Sequence, residues 1–222
     1  VIQELNVSGV VTNTFAVQPT GQLNVNIPVT AVTQVVYRLV VQRGGVEATR
    51  SVPVQVQVVC NFDWFFGNAN APEGTGCPAG PPVAATGAFQ RFERGAMIYV
   101  TANSQNRIYG LINLTGQYGV YANGWDGSTD YTCPCGTAPP GFFDPKAMFD
   151  WAYVNTNMPN SQTWYSLRGI GWGLTDIDNA NLQTIQFAEN GTVFFIQVAG
   201  YGVVRFSGGT GQGTWSLILA IP

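Results

Sequence analysis

Apolar residues fall on every second position through much of the chain, the periodicity of strands with one buried face. In the first part the alternating runs are Leu5-Asn6-Val7, Leu23 to Ile27, Val35 to Val41 and Val52 to Val58. Between the last two stands Arg43-Gly44-Gly45-Val46, where a glycine pair supplies the positive φ of a tight hairpin turn. From residue 60 to 82 the alternation stops, and Asn, Gly and Pro crowd between two cysteines, as in a stapled linker loop. The aromatic run Phe62-Asp63-Trp64-Phe65-Phe66 within it is expected to pack against a neighbouring unit, with sugar stacking as its alternative.

Alternation resumes over 83–222, in Ala96 to Val100, Arg107 to Ile112, Tyr118 to Ala122, Thr192 to Val198, Gly202 to Phe206 and Trp215 to Ile221. Glycine, asparagine and serine separate these runs, as in antiparallel meanders. Helix is scarce: the best candidate is capped by Asp144, opens with Pro145 and runs through Met148, Phe149 and Trp151. The stretch from Gln90 to Tyr99 is echoed by Gln186 to Phe195, each a turn entering an aromatic-tipped strand. The echo predicts two related hairpin halves facing each other.

Composition changes the picture in one respect. Hydrophobic residues make up 45% of the 222 positions, enough for a packed core, yet only 9% are charged, with one lysine (Lys146) and no histidine. A surface covered by Asn, Gln, Ser, Thr and Gly repels copies of itself little, which suits a surface layer or filament as well as a neutral secreted domain. The net charge of −3 and scattered arginines give no basic stripe for nucleic acid. No apolar run is long enough to span a membrane, and Val1-Ile2-Gln3-Glu4 does not read as a signal peptide, so any export signal is expected to lie outside this stretch or to have been removed.

The four cysteines read as disulfides in a secreted setting: Cys60 with Cys77 across the Gly/Pro loop, and Cys133 with Cys135 in a small ring. Zinc is the competing reading, disfavoured by the short Cys133-Pro134-Cys135 spacer and by the lack of histidine.

Tyr37 to Val41, Gly44-Gly45 and Val52 to Val58 resemble the last two strands of immunoglobulin-like domains of bacterial surface proteins, with Tyr37 near the corner tyrosine of such sandwiches. The resemblance covers residues 1–59 and leaves room for about five strands where such a sandwich has seven. A strand-deficient sandwich accepts a strand from a neighbour; a fragment of a longer protein or a smaller sheet are the other readings. Further on, Phe92-Glu93-Arg94-Gly95-Ala96-Met97-Ile98-Tyr99, Trp125-Asp126, Gly169-Ile170-Gly171-Trp172-Gly173 and Gln186-Phe187 resemble a family of secreted bacterial surface domains with F-E-R-G-x-M, L-G-W-A and Q-x-F-x-x-G motifs. The same region is similar, more distantly, to the LGFP repeat of envelope-associated proteins. These resemblances imply a place at the cell envelope and no reaction. The fold expected is therefore all-β: an immunoglobulin-like β-sandwich (1–59), a disulfide-stapled linker (60–82) and a larger antiparallel β-meander domain (83–222).

Without histidine there is no Ser-His-Asp triad, Cys-His dyad or histidine metal site. Paired carboxylates remain, Asp126 with Asp130 and Asp176 with Asp178, both in turn-like sequence where Asp serves its own loop. Asp176, Asp178 and Asn181 are also calcium candidates, though no downstream glutamate completes an EF-hand pattern. Glu93 and Arg94 are expected to fix their hairpin by half-buried bonds. The sequons at Asn6, Asn113 and Asn190 are short enough to arise by chance.

Two functions follow. The first is a non-catalytic extracellular structural subunit whose partners are copies of itself, joined by strand addition. The alternative is an adhesion module in which Trp125, Tyr131, Trp151 and Trp164 stack on surface glycans. Neither needs a cofactor or an enzymatic site.

Overall fold

The computed structural model describes the chain except residues 6–7, 19–33, 56–59, 103–105, 210 and 221–222. It divides into two compact units, Val1–Asn61 and Phe62–Pro222. The expected strand Leu23 to Ile27, the end of the Val52 to Val58 run and the Asn6 sequon lie outside the described residues.

The first unit is a four-stranded antiparallel sheet of β1 (Ile2–Leu5), β2 (Val11–Phe15), β3 (Gln34–Arg43) and β4 (Val46–Gln55), in the order β2-β1-β3-β4. The β3–β4 hairpin turns on Gly44 and Gly45, at φ 59° and 81°, as the glycine pair requires. Among the described residues of this unit only Leu5 and Val40 are buried hydrophobics, and these residues form one sheet, without the second that an immunoglobulin-like sandwich has. Among the described residues the Tyr37 hydroxyl has no hydrogen-bond partner.

The second unit is a closed eight-stranded barrel. Its strands are β5 (Val83–Phe92), β6 (Gly95–Val100), β7 (Arg107–Ile112), β8 (Gln117–Ala122), β9 (Asp178–Phe187), β10 (Val193–Val198), β11 (Gly202–Ser207) and β12 (Gly213–Ala220). β5–β8 and β9–β12 are two four-stranded meanders, joined first strand to first (β5 with β9) and last to last (β8 with β12). Gln90 and Gln186, which open the two stretches of the sequence echo, fall on the first strand of each meander. The β5–β9 seam has six residue pairs and the β8–β12 seam only two, Gly213 with Tyr118 and Thr214 with Gln117.

Strand alternation sorts the side chains into three cores. Phe89, Ile98, Tyr109, Leu111, Phe194 and Phe206 fill the barrel, with Phe194 and Phe206 stacked at 4.6 Å. The outer face of β5–β7 presents Phe92, Met97 and Ile108 to the long β8–β9 connection, which supplies Phe149, Tyr153, Trp164 and Ile170. The outer face of β10 and β11 presents Val193, Phe195 and Val203 to Trp64 and Phe66. Residues 62–82, expected as a linker, are thus the cover of the second meander. Each fully buried aromatic or aliphatic side chain contributes about 2 kcal/mol, so both covers are integral to the fold.

The covers are themselves related. Phe62-Asp63-Trp64-Phe65-Phe66-Gly67-Asn68-Ala69-Asn70-Ala71-Pro72 and Phe149-Asp150-Trp151-Ala152-Tyr153-Val154-Asn155-Thr156-Asn157-Met158-Pro159 align without a gap and share six of eleven residues. The second copy forms α1 (Met148–Asn155). The first holds only the short 3₁₀ turn Asn68–Asn70, because Gly67, at φ 88°, leaves the helical region where Val154 stays in it. The unit is therefore duplicated, each copy a cover followed by a meander, with each cover seated on the other copy's meander. α1 begins later than the sequence suggested: the Asp144 carboxylate accepts the Ala138 N–H, and Ala147 takes a positive φ of 57° just ahead of the helix.

Candidate functional site

The Gln echo marks where each cover is fastened. Gln90 and Gln186 point outward from β5 and β9, yet both are fully buried. The Gln186 amide donates to Asp63 O (3.0 Å) and Gly80 O (2.9 Å) and accepts from Phe65 N–H (2.9 Å). Gln90 donates to Thr175 O (3.0 Å) and Asp144 O (3.4 Å), while its own oxygen has no partner. Isolated bridges follow two residues later in each copy, Phe92 with Gly173 and Ala188 with Pro78. Glu93 N–H then donates to Trp172 O, and Glu189 N–H to Cys77 O.

Glu93 and Arg94 do fix the hairpin, but against the cover. The Glu93 carboxylate accepts Trp172 N–H (2.9 Å) and Arg94 Nε donates to Gly169 O (2.7 Å). All four cysteines are oxidised, Cys60 with Cys77 and Cys133 with Cys135. The second pair closes a three-residue ring in the β8–β9 connection.

The expected sugar platform is divided. Trp164 is 0% exposed: its ring lies over Gly110, where a Cβ would sit 2.3 Å from it, and its indole N–H donates to Thr156 Oγ1. It is core and out of reach of a glycan. Trp125 and Trp151 are half-buried, Trp151 lying over Gly124, and the Trp125 indole N–H donates to Thr129 O. Tyr131 is half-buried too, and its backbone N–H donates to the Asp150 carboxylate. Burial, against this bond, raises the Asp150 pKa to about 6, helped by Asp130 and Asp144 nearby.

Of the paired carboxylates, Asp126 serves its own loop. Asp126 accepts from Ser128 N–H, Thr129 N–H and both hydroxyls, which hold its pKa well below the usual carboxylate range. Asp176 pairs with Lys146 at 2.8 Å and its pKa is lowered by that bond. Asp178 and Asn181, expected in a calcium turn, instead lie on β9, opposite Phe89 and Gly87 of β5. The Asp178 carboxylate accepts from Ala180 N–H and Asn181 Nδ2. Among the described residues no three Asp, Glu or Cys side chains are grouped to hold a metal.

Backbone edges are what the surface offers instead. In the first unit β2 and β4 end the sheet, and among the described residues neither has a strand partner on its outer side. Leu39 and Val41 of β3 are 42% and 52% exposed on one face of the same sheet. No helix among the described residues is long and apolar enough to cross a membrane. Comparison with protein-family models, curated proteins and solved structures found no match for this chain.

Proposed function

We propose that this protein is a non-catalytic structural subunit of an extracellular assembly, a filament or surface layer built from copies of itself. The observation that carries this reading is the ten-residue edge strand β4, paired only with β3 among the described residues and fully exposed from Val46 to Arg50. A natural edge is usually short, bulged, covered or charged, because a bare edge templates pairing with another chain. β4 carries Glu47, Arg50 and, near its end, Pro53, and is uncharged at its other positions. The low charge of the whole chain removes the repulsion that would keep copies apart. Disulfides support an oxidising, extracellular location, and the resemblance to envelope domains agrees with it. On this reading the first unit is an immunoglobulin-like sandwich short of strands, completed by a neighbour.

Adhesion to glycans is the second reading, favoured by the half-buried Trp125 and Trp151 around Gly124. Electron microscopy and light scattering of the purified chain over a concentration series decide between them. Regular filaments or lattices are the expected result. Monomers at every concentration overturn the structural reading and send the protein to a glycan screen.

A further inference from the structure

Among the described residues the barrel's short seam leaves two strand edges unpaired, and the ladder fixes which backbone groups they offer. Asn123 N–H donates to Asn106 O next to the Arg107–Ala122 pair, so odd-numbered residues of β8 bond to β7. The N–H and C=O of Val120 and Ala122 therefore point away from β7, to the β12 side of the seam, beyond its last pair at Tyr118 and Gly213. On the other strand Trp215 N–H donates to Gly116 O (2.7 Å), so odd-numbered residues of β12 face the seam. Leu217 is the next of these, and β8 has already ended opposite it.

The β8 edge opens into a groove of about 360 Å³, lined by Gly119–Tyr121, Met158, Pro159 and Gln212 among others. None of its lining residues is charged. Its wall is fixed, since the Tyr121 hydroxyl donates to Asn157 O and Met158 is buried. The β12 edge, Trp215-Ser216-Leu217-Ile218-Leu219-Ala220, has neither charge nor proline, and Leu217 and Leu219 are 39% and 40% exposed.

Resting on the assembly reading, we propose that the open edge of β8 around Val120 pairs antiparallel with the open edge of β12 around Leu217 in a second copy. The occupant is a second copy because β12 is the strand that β8 already pairs with inside its own barrel, and the new joint continues that seam. An uncharged groove meets an uncharged apolar strand, so no desolvated charge opposes the contact. Each copy carries one edge of each kind, so the joint is head to tail, the kind that runs on into a fibre unless its rotation closes a ring.

Proline at an outward-facing position removes an outward N–H and spares the inner ladder. V120P and L217P are therefore the test, with L217D as a variant that leaves the backbone unchanged and puts a charge into the joint. Folding is checked by circular dichroism, and mass by light scattering behind size exclusion. Each variant alone is expected to lose self-association by about tenfold or more. An equimolar mixture of V120P and L217P is expected to regain this one joint and to associate one to one well beyond either variant alone, because one good edge of each kind remains. Folded V120P and L217D that assemble like the parent chain overturn this joint while leaving assembly through other surfaces standing. A monomeric mixture of two folded variants overturns it as well, and a monomeric parent chain overturns both proposals.

Discussion

Replacing Gln186 by alanine removes three hydrogen bonds from one buried side chain. Asp63 O, Gly80 O and Phe65 N–H all lose their partner beneath the first cover. Each buried group left unpaired costs about 1 kcal/mol or more, so Q186A is expected to destabilise the second unit by about 3 kcal/mol. Its counterpart Gln90 makes one good bond and one long one, and its oxygen is already unpartnered, so Q90A should cost about 1 kcal/mol. The ratio is more informative than either value, because the two residues occupy equivalent places in the duplicated fold. Urea unfolding of the full, oxidised chain gives the two free energies, and hydrogen exchange gives their location. Q186A should speed exchange at Asp63 to Gly80 and leave 144–175 unchanged, with the reverse for Q90A. Equal costs, or exchange that rises uniformly in both variants, would refute the idea that these glutamines fasten separate covers.

Three further outcomes are expected. Gly110→Ala puts a methyl 2.3 Å from the buried Trp164 ring, and such overpacking should cost about 2 kcal/mol in a thermal or urea melt. Asp150 is raised from 3.8 to about 6 in the fold, so between those values the folded chain holds a proton that the unfolded chain has released. Stability from this group is full below pH about 4 and lost as pH rises through about 6; after allowance for water reaching the site the loss is about 1 kcal/mol. D150N, which can still accept the Tyr131 N–H, should flatten that slope in urea melts across the window. Finally, removing the Cys133–Cys135 ring by double serine substitution should cost about 1.5 kcal/mol, against about 3 for the longer Cys60–Cys77 loop, because closure entropy grows with loop length. Equal losses in a melt would contradict that account.

Strands with one wet face and one dry face were legible in the sequence. β7 runs from Arg107 to Ile112 as the alternation indicates, and β6, β10 and β11 agree within a residue or so. Besides β2 in the first unit, the missed strands are β5 and β9 of the barrel, which alternation cannot reveal. β9 places Asn181 and Gln183 inward and Gln186 outward, all buried, so polar residues sit where an apolar stripe is expected. The Asp178-Asn179-Ala180-Asn181 start of β9 reads as a turn for the same reason. Trp164 was misplaced because an aromatic in a Gly/Pro-rich stretch looks exposed until a glycine on a neighbouring strand, here Gly110, is seen to make room for it. The cover repeat, from Phe62 and Phe149, stands in the sequence for a search at that spacing to find, but its two copies differ in secondary structure and no periodicity links them.

Exchanged covers set the order in which the chain becomes safe during synthesis. When the first meander emerges, Phe92, Met97 and Ile108 have no lid, because it is encoded from Met148 onward. Trp64 and Phe66 emerge before anything else in the unit and wait for Phe195 and Val203, which come near its end. Gln186 reaches across more than a hundred residues to fasten the first cover. No early fragment can shield itself, so the nascent unit stays sticky until β11 has been made, as expected of a fold of high contact order. Two stalled chains would each display what the other lacks, and their natural mistake is to complete one another.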